Sequence, residues 1–191
     1  TGFWTFDGAS EAEQLESQAG VSGIAAEKTG NGVTLMAEGG ISGGCAYFSG
    51  NNASWLTLNL ADAQKGLAAS QNAFTIGAWV KYEEVIVSGN AGTSIFHQDG
   101  QAQGRAILTI GKNGGNTVYG TYLDGTNRYS GQIIETGQWH HVMIAVEENK
   151  SSRKVYIYVN GELANGTGQT FASALIDGSG NIRVGAHRNN A

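Results

Sequence analysis

The chain has 191 residues, of which 40% are hydrophobic and 14% charged, and its formal net charge is −5. This length is typical of one domain with a substantial core. The basic residues are scattered, which excludes the concentrated positive charge that nucleic acid or an anionic membrane surface requires. No apolar run is long enough to span a bilayer, and no signal peptide is visible, which leaves the location of a mature secreted domain open.

Glycine and cysteine usage narrow the fold class. The chain has 30 glycines and no proline, a composition that favours many tight turns between short strands because glycine enters positive φ freely. We therefore expect an all-β domain. Cys45 is the single cysteine, so an internal disulfide and a cysteine-built zinc site are excluded, and we expect its side chain to be a small buried group on a strand.

The first third of the chain contains short strand candidates separated by glycine pairs. They are residues 3–6, 33–36, 45–48 and 55–60. In the last of these, Trp55 alternates with the leucines and faces away from them. Residues 9–19 are predicted to form a loop or a single helical turn, and residues 61–72 contain the only plausible helix.

Regular strands follow from Phe74 onward, and turn dipeptides such as Asp124-Gly125 and Asn160-Gly161 separate them. The predicted strands are residues 74–81, 94–98, 106–110, 118–123, 142–146, 155–159 and 182–186. In the first of these, alternation places Trp79 on the face opposite Phe74. About a dozen short strands with glycine turns predict a two-sheet antiparallel β-sandwich or jelly roll.

Several segments appear in one recognisable order along nearly the whole chain. They are Phe6-Asp7, Ala46-Tyr47-Phe48-Ser49-Gly50, Trp55-Leu56-Thr57-Leu58, residues 74–81 (FTIGAWVK), residues 104–108 (GRAIL), residues 137–142 (GQWHHV), residues 156–163 (YIYVNGEL) and residues 182–186 (IRVGA). Together they resemble a laminin-G-like jelly roll of the concanavalin A-like lectin/glucanase superfamily. The resemblance implies a single domain over residues 1–191. Such domains usually finish with a strand carrying an Ile-Asp-Glu-Val-like run, and this chain is expected to lack that closing C-terminal strand.

The acidic residues do not form a glycosidase pair. Glucanases of this superfamily place two or three carboxylates on one strand, and glycoside hydrolysis needs two carboxyl groups at a defined separation. The adjacent pairs Glu83-Glu84 and Glu147-Glu148 would point to opposite faces of a strand, and Glu11, Glu13 and Glu16 are separated. We therefore expect no catalytic activity, and interpret these carboxylates as solvated turns.

The adjacent histidines and two of the tryptophans have a structural interpretation. His140 and His141 are neighbours on one strand, so they face opposite ways and cannot hold one metal; the resemblance implies a packing role beside Trp139. We expect Trp79 and Trp139 to lie in the core. Trp55 is the better candidate for stacking on a sugar ring.

Three polar segments, at residues 97–105, 124–129 and 187–190, supply the planar donors, acceptors and aromatic rings that sugar recognition needs. We predict that they converge at one rim or on the concave face. The predicted ligand-binding residues are His97, Gln98, Asp99, Arg105, Tyr119, Tyr122, Asp124, Asn127, Arg128, His187 and Arg188. The competing interpretation is that each of these residues serves ordinary turn chemistry.

A calcium ion is implied by the resemblance, because related sandwiches often hold one structurally. Ca²⁺ takes six to eight oxygen ligands. Asp7, Asp99 and Asp124 are the available carboxylates, although no contiguous calcium-loop motif is present.

These observations favour a non-catalytic carbohydrate-binding module with a glycan as its partner, without nucleic-acid binding or membrane insertion. The resemblance implies a secreted, periplasmic or cell-surface location in an extracellular bacterial protein, with other domains such as a glycoside hydrolase or sialidase attached. One alternative is a protein–protein adhesion module of the laminin-G type. A second alternative is a divergent glycoside hydrolase.

Overall fold

Extended strands dominate the parts of the chain that the structure describes. The computed structural model describes residues 4–18, 25–50, 54–59, 73–83, 93–98, 105–122, 127–147, 153–171 and 181–185. Within them, one short helix, α1 (Glu11–Leu15), precedes all the strands. The strands are β1 (Ala26–Thr29), β2 (Val33–Met36), β3 (Cys45–Phe48), β4 (Trp55–Leu58), β5 (Phe74–Lys81), β6 (Thr93–Gln98), β7 (Arg105–Asn113), β8 (Asn116–Tyr122), β9 (Asn127–Ile133), β10 (Trp139–Glu147), β11 (Arg153–Val159), β12 (Glu162–Leu163), β13 (Gln169–Phe171) and β14 (Ile182–Val184).

The strands form two large antiparallel sheets and one hairpin. The first sheet has seven strands in the order β1-β4-β14-β6-β7-β8-β9. The second has five strands, in which β12-β11-β10-β5 are consecutive and β13 also pairs with β11. β2 and β3 pair only with each other in the described part of the chain. This arrangement confirms the predicted all-β antiparallel sandwich.

The core lies between the two large sheets, because alternate residues of both sheets meet there. The seven-stranded sheet contributes Ala26, Leu58, Ile107, Leu108, Ile110, Tyr119 and Ile182. The five-stranded sheet contributes Phe74, Val142, Ile144, Val146, Val155, Ile157 and Val159. On β10 burial alternates strictly from His140 to Val146, the pattern of a strand with one face in the core.

The N-terminal segment differs from the prediction of a strand at residues 3–6. Residues 4–6 are not in a strand, and Phe6 has φ +61°, which ends extended structure. The indole Nε1 of Trp4 instead donates to the carbonyl oxygen of Leu15, at 3.1 Å. Ser10 begins α1 through a capping box with Glu13. The segment is therefore held by the helix rather than by a sheet.

Three buried positions expected from the sequence are also different. Trp139 was expected in the core but is half-buried. Trp79 was expected in the core, but 49% of its surface is exposed, because its strand alternation places it on the outer face. Cys45 is half-buried rather than buried, and partial desolvation raises the pKa of its thiol. The helix predicted within residues 61–72 lies outside the described residues. In the described part of the chain, no helix has the length and apolar character needed to cross a membrane.

The turn predicted at Asn160-Gly161 is confirmed. Asn160 has φ +52° and Gly161 has φ +85°, the pair of positive angles that a type I′ turn requires. The Asn160 side-chain oxygen also accepts a hydrogen bond from the backbone N–H of His141 at 2.9 Å. This contact ties the turn to the neighbouring strand β10.

Candidate functional site

One row of residues crosses the whole seven-stranded sheet, with one residue from each strand. Each member is the direct antiparallel partner of the next. In sheet order, the row consists of Glu27, Thr57, Arg183, His97, Ala106, Tyr122 and Asn127. We call it the outer row. Partners that stand directly opposite each other in a ladder share a face of the sheet, so all seven positions face the same way.

The outer row faces away from the core. The adjacent ladder positions are Ala26, Leu58 and Ile182, which are direct partners of one another and are buried in the core. Successive residues on a strand point to opposite faces. The outer row is therefore on the side of the seven-stranded sheet that does not contact the five-stranded sheet.

Arg183 and Trp55 form the best-defined contact on this face. The guanidinium carbon of Arg183 lies 4.4 Å from the centroid of the Trp55 ring, a cation–π arrangement. Trp55 is two residues before Thr57 and so shares its face. Both Trp55 and Arg183 are half-buried. Trp55 thus faces outward as its alternation predicts, but one side of its ring is covered by an arginine.

Three of the predicted ligand residues belong to the outer row. His97 stands directly beside Arg183 and is fully buried, with 0% of its surface exposed. Tyr122 and Asn127 are direct partners of each other and are half-buried. On this geometry a ligand would contact Arg183, Tyr122 and Asn127. His97 is buried and would pack beneath them.

Three other predicted ligand residues lie on the core side of the sheet. Gln98 pairs with the core residue Ile182 and is buried. The guanidinium of Arg128 donates to the carbonyl oxygen of Thr170 from both Nη2, at 3.1 Å, and Nε, at 3.4 Å. Since Thr170 belongs to β13, Arg128 connects the two sheets. The third residue, Tyr119, is fully buried.

Tyr119 meets the five-stranded sheet through His140. Their ring centroids are 6.1 Å apart in an edge-to-face arrangement. Within the described residues, neither the Oη of Tyr119 nor the Nδ1 of His140 has a hydrogen-bond partner. Desolvation raises the pKa of the Tyr119 phenol far above its ordinary value. The packing role expected for His140 therefore includes an edge contact with a buried tyrosine.

The remaining predicted ligand residues lie where side chains are not described. Arg105 pairs through its backbone with Gln98, and Asp99, Asp124, His187 and Arg188 are outside the described residues. The pairs Gln98–Arg105 and Tyr122–Asn127 place the strand ends that flank residues 99–104 and 123–126 at one end of the sheet. Convergence of the polar segments themselves stays a prediction.

Of the three predicted calcium ligands, only Asp7 is among the described residues. The described residues contain no group of three or more His, Cys, Asp or Glu side chains placed to hold a metal ion. Asp7 uses its Oδ1 to accept a hydrogen bond from the backbone N–H of Gly44 at 2.6 Å. Asp99 and Asp124 lie in segments that are not described. Calcium therefore stays an expectation from the resemblance, and no part of the function below depends on it.

Sequence reasoning did not identify Arg183, Thr57 or Glu27 as candidates. The alternation of Ile182, Arg183 and Val184 indicates that Arg183 faces away from the core. Its neighbours could not be inferred, because β14 is the last of the described strands and yet pairs between β4 and β6. The outer row is a consequence of this topology.

Comparison with known families agrees with this architecture. A Laminin_G_3 family model, described as concanavalin A-like lectin/glucanases superfamily, matches residues 49–191. No curated protein matches the chain. The match includes eleven of the twelve strands that build the two large sheets and the outer-row residues of six strands. The chain therefore belongs to the Laminin_G_3 family of the concanavalin A-like lectin/glucanase superfamily.

Proposed function

We propose that the protein is a non-catalytic carbohydrate-binding module that holds a glycan across the outer row. The observation that carries this proposal is the row itself. Four of its seven residues are half-buried and have polar side chains that match sugar hydroxyls: Thr57, Arg183, Tyr122 and Asn127. Family membership supports a lectin-like or adhesion module in general, and the outer row favours the carbohydrate-binding form.

The chemistry of the row suits a saccharide. Sugar hydroxyls both donate and accept hydrogen bonds, and the row offers a guanidinium donor on Arg183, an amide on Asn127 and hydroxyls on Thr57 and Tyr122. The Trp55 ring adds apolar surface next to these groups. A shallow site of this kind is expected to bind with micromolar to millimolar affinity, about 4–8 kcal/mol.

The acidic residues support binding without hydrolysis. Across the described strands of the seven-stranded sheet, Glu27 is the single carboxylate, and it lies on the edge strand β1. A glycosidase needs an acid and a second carboxylate on either side of the scissile bond. Among the described residues of these strands, the outer row thus offers groups that hold a sugar and has Glu27 as its one carboxylate.

The fold family also bears on the location of the module. Laminin-G-like domains are typically extracellular, so we propose a secreted or cell-surface location next to other domains of the same protein. The adhesion alternative would be favoured by a large apolar surface in place of a polar row. The four half-buried polar positions of the outer row argue against that use of this face.

A glycan array tests the proposal directly. The wild-type protein would be applied with calcium and again with the calcium chelated, beside two variants that each lose one positive charge. Arg183→Met alters the outer row. Lys112→Met alters β7 six residues from Ala106, about 20 Å along the strand. Melting temperatures of both variants would verify folding.

We expect wild type and Lys112→Met to bind the same glycans and Arg183→Met to lose at least about tenfold in affinity, or about 1.4 kcal/mol. Two results would reject the proposal. One is the absence of glycan binding with or without calcium. The other is a folded Arg183→Met protein that binds like the wild type.

A further inference from the structure

The five-stranded sheet has an exposed tryptophan on its outer face. Trp79 lies on β5 with 49% of its surface exposed, and its direct partner on β10 is His141. The two ring centroids are 5.3 Å apart and the ring planes are inclined at 56°. The His141 ring therefore lies beside the Trp79 ring and is inclined to it, and about half of the Trp79 surface stays exposed.

An apolar stripe runs beside these two rings. Gly77, Met143, Tyr158 and Leu163 are direct partners in sequence across β5, β10, β11 and β12. Leu163 is 41% exposed, and Gly77, two residues before Trp79 on the same face, adds no side chain beside the Trp79 ring. We call Trp79, His141 and this stripe the aromatic face. The solvent side of an antiparallel sheet is normally polar, and a continuous apolar row on it marks a binding surface.

Among the described residues, two pairs of opposite charge border the aromatic face. At one end, the Lys81 ammonium lies 2.8 Å from a Glu83 carboxylate oxygen. At the other end, Glu147 accepts a hydrogen bond from the Tyr156 hydroxyl at 2.7 Å and is the direct ladder partner of Lys154. A charged polymer would gain little electrostatic attraction from charges that are already paired. The face is complementary to a neutral ligand.

We propose that a neutral polysaccharide binds the aromatic face, with one sugar ring stacked on Trp79. The C–H face of a pyranose is apolar and planar enough to cover an exposed indole, and its peripheral hydroxyls would meet polar groups such as His141. The ligand class rests on the proposed function, whereas the surface is a separate one. Because the outer row and the aromatic face lie on opposite sides of the sandwich, one molecule would link two polysaccharide chains.

Affinity electrophoresis with soluble polysaccharides tests this second surface. The gels would contain hydroxyethylcellulose, xyloglucan or galactomannan as neutral probes, and polygalacturonate as the anionic probe. Trp79→Thr removes the ring and keeps a residue that favours strands, and Trp79→Tyr keeps a smaller ring. Thr75→Ser, on the same strand and the same face, is the matched control. Arg183→Met reports on the outer row in the same gels.

At least one neutral polysaccharide should retard the wild-type protein and the Thr75→Ser control. Trp79→Thr should bind that probe about tenfold more weakly, and Trp79→Tyr should show intermediate retardation. The inference fails if Trp79→Thr is retarded like the wild type, or if polygalacturonate alone retards the protein. It also fails if the wild type sediments as a dimer and Trp79→Thr as a monomer, since the face would then bind a second copy.

The two proposals fail separately in this design. Loss of retardation in Arg183→Met with normal retardation of Trp79→Thr would support the outer row and reject the aromatic face. The opposite pattern would support the aromatic face and reject the outer row. Absence of retardation by every probe would reject both.

Discussion

Replacing Tyr119 by phenylalanine is expected to stabilise the protein. Tyr119 is fully buried, and its hydroxyl has no hydrogen-bond partner in the described part of the chain. A hydroxyl buried without a partner costs about 1–3 kcal/mol. Phenylalanine keeps the ring and its edge contact with His140. We therefore expect the free energy of unfolding to rise by about 1–2 kcal/mol.

Urea unfolding and calorimetry at neutral pH measure this change, and the melting temperature should rise by about 2–8 °C. Tyr156→Phe is the matched control because it removes the same atom from a hydroxyl that donates to Glu147 at 2.7 Å on the surface. That variant should be no more stable than wild type, because the hydrogen bond it loses is on the surface. A Tyr119→Phe protein that is less stable than wild type would refute the reasoning.

The pH dependence provides a second check on Tyr119. Burial raises the pKa of its phenol, so the folded protein keeps this proton at a pH where the unfolded chain releases it. The stability of the wild type is then fully present below about pH 10 and falls at higher pH, by up to about 1.4 kcal/mol per unit. Tyr119→Phe lacks this loss. Its advantage over the wild type should grow between pH 9 and pH 11, and a constant difference would contradict the assignment.

Three further stability predictions can be checked by urea unfolding. Arg128→Met should lower the free energy of unfolding by about 2–3 kcal/mol, because it removes the contact between the sheets. Lys112→Met should lower it by at most about 0.5 kcal/mol. Equal effects of the two substitutions would contradict the bridging role of Arg128. Gly185→Ala should cost about 2–4 kcal/mol, because a Cβ there would lie 2.3 Å from the Phe48 ring at φ +76°. Gly114→Ala, at φ +58° in open space, should cost only about 1–2 kcal/mol, and a larger loss there than at Gly185 would be inconsistent with the packing. Asn160→Ala should cost about 2 kcal/mol and Asn160→Gly about 1 kcal/mol, since glycine tolerates the positive φ but loses the hydrogen bond to His141; the reverse order would disprove the turn argument.

Strand alternation predicted the centre of the fold well. The strand Phe74–Lys81 has the predicted bounds, and residues 142–146 and 155–159 lie within longer strands that pair with each other. These segments are β-branched or aromatic and alternate, so local sequence and core contacts favour the same structure. Trp79 lies on the face that the alternation predicts. The expectation that so large a ring is buried in the core was wrong.

Other elements depend on contacts that lie far apart in sequence. β1, with the sequence AEKT, has no apolar alternation and forms by pairing with β4. β9 follows a turn signal, and its first residues belong to the polar segment 124–129, for which the sequence predicts ligand binding rather than a strand. The N-terminal aromatic residues resemble a strand, but the positive φ of Phe6 and the bond from Trp4 to Leu15 set a different path.

The candidate site was predictable only in part, because the face that a side chain occupies depends on register. Tyr122 and Asn127 lie on the outer row as ligand contacts require, but Arg128, the next residue, points across the core to Thr170. A one-residue step reverses the face of a strand. Bulges in the β6–β7 and β7–β8 ladders change that relation again. Arg183 could be placed beside His97 only through the strand order.

Chemical-shift mapping of the ¹⁵N-labelled protein with the glycan selected on the array tests the central claim most directly. If the outer row holds the sugar, the amides of Thr57, Arg183, Tyr122 and Asn127 should shift together during the titration. The Arg183→Met variant should need at least about tenfold more glycan to reach the same shifts. A titration that leaves every amide of the seven-stranded sheet unchanged would contradict the account.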